Sequence, residues 1–287
     1  MIEIGLTGWG DHPSLYPTPE LAKHKLKSYS AHFPIVELDS SFYAIPSARN
    51  VEKWVKETPE RFGFIVKAYQ GMTGHTRGKQ IAAEQEPLSE LLRTFREVLE
   101  PMRSAGKLKA VLFQYPPWFR CEKNNVQLLR YTKDQMADWP CALEFRNQSW
   151  FRGEMRQKTI DFMKSEQWMH SVCDEPQAGE GSIPIVPVTT YSPCTIVRFH
   201  GRNTFGWLDR KTTDWRAVRY LYRYSPAELA EWKERLVALE QTCEQLCVVF
   251  NNNSGGDAAD NAKQLMEQLN IQYTGLHPRQ LEWFDEW

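Results

Sequence analysis

The 287-residue chain is 41% hydrophobic and 25% charged with a formal net charge of −1, the profile of a soluble globular protein. No apolar run approaches the roughly 18 residues of a membrane span, and the opening MIEIGLTGWGDHP lacks a basic segment followed by an apolar one, so a cytoplasmic location with no membrane partner is expected. The near-neutral charge argues against a whole-surface polyanion binder and leaves nucleic acid, if it is a partner, only a local basic patch.

In chain order, short apolar runs bounded by turn residues predict eight strands: Glu3–Thr7, Ile35–Asp39, Phe62–Ala68, Lys109–Gln114, Cys141–Arg146, Trp168–Asp174, Thr195–His200 and Gln245–Asn251. Most of the intervals can hold a helix. Leu88, Leu91, Leu92, Phe95, Val98, Leu99 and Met102 form an apolar stripe at helical spacing. A second helix opens with SPAE, where Ser225 caps, Pro226 suits the first position and Glu228 completes a capping box.

Strands alternating with helices eight times predict a parallel sheet with crossover connections, closed into a TIM-type (β/α)8 barrel. An open, doubly wound parallel sheet is the alternative. No linker or change of composition divides residues 1–287, so one domain is expected, with an insertion at about 203–224. Six cysteines form no C-x-x-C pair and read as small buried hydrophobes rather than disulfides or zinc ligands.

Successive strand residues face opposite sides, which places chemistry as well as core. With Val36, Leu38, Phe64, Val66, Val111, Phe113, Leu143, Phe145, Val197 and Phe199 packed outward, Glu37, Asp39, Lys67, Gln114, Glu144, Arg146, Arg198 and His200 face the lumen. Asn251 and Thr7 follow the same phase, Trp9 continues it, and Asp174 ends a strand whose phase is ambiguous. These polar residues gather at the C-terminal strand ends, where active sites of TIM barrels lie.

The stretches VELDSSFYAIPS from Val36, LFQYPP from Leu112, LEFRNQSW from Leu143, VRFHGRN from Val197, and FNNN from Phe250 followed by DNA from Asp260 resemble the YecE-like family of TIM-barrel proteins of unknown function. The resemblance spans nearly the whole chain and implies the barrel, with no established activity. Asp39 and Ser41 stand where the pattern E-x-N-x-T-F-Y expects Asn and Thr, and Gly74 separates Thr73 from His75.

Glu37, Glu144 and Asp174 are the carboxylates placed for acid/base work, and neighbouring Glu144 and Asp174 could push each other's pKa apart. His200 is the histidine that parity puts in the mouth and the leading proton-transfer candidate. Lys67, Arg146, Arg198 and Arg202 could clamp a phosphate or carboxylate, with Gln114, Asn251 and Asn252 beside them. The competing reading is that these cations and carboxylates only pair with one another and order the lumen.

The insertion adds Arg210, Lys211, Arg216, Arg219 and Arg223 against Asp209 and Asp214, so a locally basic rim is expected. NNNSGGD, residues 251–257, supplies two glycines before a helix N-terminus, which is either a phosphate cradle or a turn capped by Asp257. Trp9, Tyr43, Trp118, Trp150 and Trp207 follow strands and could wall a sugar or a base, or could pack beneath loops. No cofactor is expected. A divalent metal on Glu144, Asp174 and His200 is disfavoured, because H-x-H and H-E-x-x-H spacings are missing and the arginines would repel a cation.

The residues together predict a hydrolase or related acid/base enzyme acting on a phosphorylated or otherwise anionic, sugar- or nucleotide-like substrate. The alternatives are a non-catalytic binder of nucleic acid or nucleotide and a glycosidase using two of the carboxylates.

Overall fold

The computed structural model describes residues 1–75, 87–208 and 218–278. Eight strands run β1 Ile2–Thr7, β2 Ile35–Leu38, β3 Gly63–Lys67, β4 Leu108–Gln114, β5 Cys141–Glu144, β6 Met169–Asp174, β7 Cys194–Phe199 and β8 Gln245–Phe250. Each pairs in parallel with the next, and β8 pairs with β1, so the sheet closes into a barrel in chain order. The closed (β/α)8 barrel replaces the open-sheet alternative. Closure removes the unpaired strand edges an open sheet would leave.

Two shells of apolar side chains hold this ring. Inside, Ile35, Ile65, Ala110, Leu112, Ala142, Met169, Cys194, Ile196, Cys247 and Val249 fill the lower lumen. Outside, Val36, Phe64, Val66, Phe113, Leu143, Val197, Phe199 and Phe250 are fully or almost fully buried against the helices. The first helices are α1 Pro19–Lys23, α2 Lys25–Tyr29 and α3 Ala48–Glu57. The stripe from Leu88 forms α4, Leu88–Ser104, which buries Leu92, Phe95, Leu99 and Met102. Each such side chain contributes roughly 1.5–3 kcal/mol through removal from water.

The remaining helices are α5 Lys123–Met136, α6 Met155–Ser165, α7 Thr204–Leu208, α8 Pro226–Glu240 and α9 Asp257–Gln268. At the start of α8 the Ser225 side chain accepts from the Glu228 N–H while Glu228 accepts from the Ser225 N–H, so the expected capping box forms. The six cysteines are free. Among the described residues no helix is long and apolar enough to cross a membrane.

Candidate active site at the barrel mouth

The apolar filling of the lumen stops about one layer below the C-terminal strand ends, and charged side chains take over. Arg198, on β7, reaches across the lumen: its Nε and Nη2 donate to Glu37 Oε2 and Oε1 at 2.7 and 2.5 Å. Its Nη1 donates to Glu144 Oε2 at 2.6 Å. Arg146 donates from Nη2 to Glu144 Oε1 at 2.5 Å and from Nη1 to Glu175. Gln114 Nε2 also donates to Glu144 Oε1, at 2.6 Å, and Ser171 Oγ donates to Oε2, at 3.2 Å.

Glu37, Glu144, Glu175, Arg146 and Arg198 are all nearly or completely shielded from water, so each guanidinium is needed to offset a buried carboxylate. Burial alone would raise the Glu144 pKa, but Arg146 and Arg198 outweigh it and hold it well below the usual carboxylate range. Glu175 behaves differently: burial dominates over Arg146 and pushes it up to about 7.

His200 is completely buried within this network. Its Nε2 faces Arg146 Nη2 at 3.0 Å and Arg198 Nη1 at 3.3 Å. Burial and these two cations hold its pKa well below 6.5, so the ring is neutral and Nε2 accepts. The proton then belongs on Nδ1, which lies 2.9 Å from Asn251 Nδ2, so this tautomer pairs with Asn251 when the carboxamide turns its oxygen toward the ring.

Above this platform lies a cavity of about 410 Å³ lined by Thr7, Asp11, Glu37, Asp39, Tyr43, Lys67, Arg198, Tyr220, Asn251, Asn253 and Ser254. Lys67 lies at the end of β3 with Nζ 4.5 Å from the centre of the Phe42 ring. Among the described residues it makes no ion pair, unlike Arg146 and Arg198. Burial, with help from Arg198, lowers its pKa to about 8. Burial and the neighbouring Glu37 raise the Asp39 pKa.

Glu37, Lys67, Gln114, Glu144, Arg146, Arg198, His200 and Asn251 are thus brought together, and half-exposed Tyr43 joins them at the cavity wall. Five expected members lie elsewhere. Asp174 shares the face of Val172, so Ser171 and Cys173 turn inward, and Asp174 packs outward against α8, accepting from Arg202 and Trp232 Nε1. Arg202 goes with it, pairing also with Glu228 and Glu231. The cause is Gly201, whose φ of +80° breaks the alternation that carried Arg198 and His200 inward.

Gly8, at φ +68°, does the same after β1: Trp9 packs edge-on against Trp54 at 5.6 Å instead of lining the lumen. Trp150 is core, stacked on Phe145 at 3.9 Å with its Nε1 bonded to the Phe119 carbonyl. Asn252, one step out of phase with Asn251, binds the Tyr222 carbonyl and Asn261.

The locally basic rim is not found among the described residues. With Arg202 outside, three lumen cations (Lys67, Arg146, Arg198) stand beside four carboxylates (Glu37, Asp39, Glu144, Glu175). In the insertion, Arg219 stacks over Trp207 with its guanidinium 3.8 Å from the ring centre, and Arg223 pairs with Asp257 and Asp260. Asp209, Arg210, Lys211, Asp214 and Arg216 lie outside the described residues. Gly256, not Asp257, is the N-cap of α9.

The metal triad changes membership, since Cys173 replaces Asp174 beside Glu144 and His200, with donor atoms within 4.8 Å of one another. Guanidinium groups already occupy the Glu144 and His200 donors, so the set suits arginine better than a metal ion.

Asp39 and Glu175 complete the site beyond the residues singled out from sequence. Strand phase placed Asp39 inward, and the apolar Val172 is the signal that would have turned Glu175 inward. The family described as a protein of unknown function, DUF72, matches residues 3–283. The chain belongs to the DUF72 family. The YecE-like resemblance is a close variant of that assignment. The UPF0759 protein YunF of Bacillus subtilis is 59% identical over 285 residues, covering 99% of this chain and all of that one.

Two crystal structures of DUF72 proteins share the barrel. One from Enterococcus faecalis is 36% identical, covers 98% of this chain and 100% of that one, and has a TM-score of 0.89. Another from Thermotoga maritima is 30% identical, covers 94% of this chain and 100% of that one, and has a TM-score of 0.78.

Proposed function

We propose that the chain is an enzyme, a hydrolase or a related acid/base catalyst, acting on a small, hydroxyl-rich, anionic substrate of the sugar or nucleotide kind at the C-terminal mouth. The observation that carries this is Lys67: a cation that lines the cavity without an ion pair among the described residues. Arg146 and Arg198 are engaged by carboxylates, so the substrate's single negative group meets Lys67. Hydroxyl and amide groups of Thr7, Tyr43, Tyr220, Asn253 and Ser254 suit a polyol.

In this reading Glu144, Arg146, Arg198 and His200 form a fixed platform, and the acid/base work falls to Asp39 beside Glu37. Two carboxylates whose environments differ, one doubly gripped by Arg198 and one partly buried at the cavity wall, are the arrangement that divides acid from base. A nucleic-acid reading draws less support, because Arg219 and Arg223 are occupied. For a glycosidase using two of the carboxylates, Glu144 with Asp174 draws no support, because Asp174 lies in the outer layer.

A thermal-shift screen of sugar phosphates, nucleotides, sugar acids and divalent metals tests the proposal, since a ligand of the native state raises its melting temperature. An anionic ligand should stabilise the wild type and Lys67→Arg but not Lys67→Met. Equal stabilisation of Lys67→Met would overturn the reading.

A further inference from the structure

Lys67, without an ion pair among the described residues, also lies against an aromatic ring, with Nζ 4.5 Å from the centre of Phe42. An amine in such a place is a nucleophile as well as a charge: at a pKa of about 8, a substantial share is neutral near physiological pH, against less than about one part in a thousand for an ordinary lysine. A carboxyl that holds its proton more readily than usual, Asp39, lines the same cavity and interacts electrostatically with it. A partly buried amine, a carboxyl lining the same cavity and hydroxyl-rich walls together are the parts that carbonyl chemistry requires.

We propose that Lys67 is a catalytic nucleophile that forms an imine with the carbonyl carbon of a small hydroxylated aldehyde or ketone. This rests on the cavity being the substrate site, and it narrows the substrate class to carbonyl compounds. The Asp39 carboxylate takes a proton from the Lys67 ammonium, the neutral Nζ donates its lone pair to the carbonyl carbon, and the carbonyl oxygen takes that proton from Asp39. The nitrogen of the resulting carbinolamine loses a proton, returned to the Asp39 carboxylate, and a second protonation of the oxygen expels water. The net change joins one lysine ammonium and one carbonyl into a protonated imine and one water, with no oxidant or reductant consumed.

The test is reductive trapping. The full chain is incubated at neutral pH with cyanoborohydride and glyceraldehyde, dihydroxyacetone or pyruvate in turn, and the adducts are mapped by peptide mass spectrometry. At least one probe should label Lys67 on the order of tenfold faster than exposed Lys123 and Lys158. Asp39→Asn should slow labelling of Lys67 while leaving those two lysines unchanged.

Lys67→Arg, which keeps the charge, should lose the adduct and keep the stabilisation by anions. Labelling of Lys67 at the surface rate with all three probes overturns the imine. If anions still stabilise the protein through Lys67 in that case, the cavity reading survives alone. An adduct at Lys67 without any stabilisation by anions supports the imine and removes the anionic-substrate reading.

Discussion

Arg198 holds both oxygens of Glu37, at 2.5 and 2.7 Å, although the two residues stand 161 positions apart in the chain. The same guanidinium reaches Glu144 at 2.6 Å. One side chain therefore neutralises carboxylates from two other strands at the centre of the barrel.

Removing that side chain strands the Glu37 carboxylate and leaves Glu144 with Arg146 as its remaining guanidinium partner. Arg198→Met should cost about 3–5 kcal/mol, measured by urea denaturation. Adding Glu37→Gln to that variant should return part of the loss, because the stranded charge then disappears. A double variant no more stable than Arg198→Met would count against a coupled pair.

Asp174 belongs to the outer layer, and its substitution should behave accordingly. Asp174→Asn is expected to destabilise by roughly 1–3 kcal/mol through the bonds to Arg202 and Trp232. Ligand-induced stabilisation at the cavity should be unchanged. Loss of that response in a folded Asp174→Asn protein would put the residue back into the site.

Glu175 should impose a pH dependence on stability. Its pKa rises from 4.5 to about 7 on folding, so between those values the native state keeps a proton that the unfolded chain has released. Stability from this group therefore falls as pH climbs from about 4.5 to about 7, by on the order of 1–3 kcal/mol. Denaturation at several pH values should show this decline in the wild type and a flatter profile in Glu175→Gln. Identical profiles would contradict the buried, proton-holding Glu175.

Lys67 makes anion binding sensitive to pH on the alkaline side. Its ammonium is lost as pH rises through about 8, so an anionic ligand should bind progressively more weakly, by up to about tenfold per pH unit above that value until the pKa of the complex is reached. Lys67→Arg should abolish that slope in calorimetric titrations. A slope that persists in Lys67→Arg would assign the titrating group elsewhere.

Much of this site was legible from strand phase, because in strands such as Val36 to Leu38 or Phe64 to Val66 large apolar residues mark one face without ambiguity. β6 was not legible in the same way: Ser171 and Cys173 suit either face, and only Val172 fixes the phase. Past the strand ends, alternation holds only while the backbone stays extended. Gly8 and Gly201 break it, which is why Trp9 and Arg202 were misplaced while Asn251 was not. Parity also states which face a side chain takes and never which partner it meets, so the saturation of Arg146 and Arg198 by Glu37, Glu144 and Glu175 emerges only in three dimensions.

The ring order of the strands gives the lumen network a consequence for how the chain folds. Glu37 and Glu144 belong to the first five strands, while Arg198 arrives with the seventh. A half-assembled barrel ending at Arg146 would hold Glu37 and Glu144 with Arg146 and Lys67 but without the one guanidinium that bonds Glu37, at a cost of up to several kcal/mol where they are buried. The early strands thus gain a stable interior only once β7 docks, which couples the two halves into one cooperative unit and disfavours a partly built barrel as a resting state.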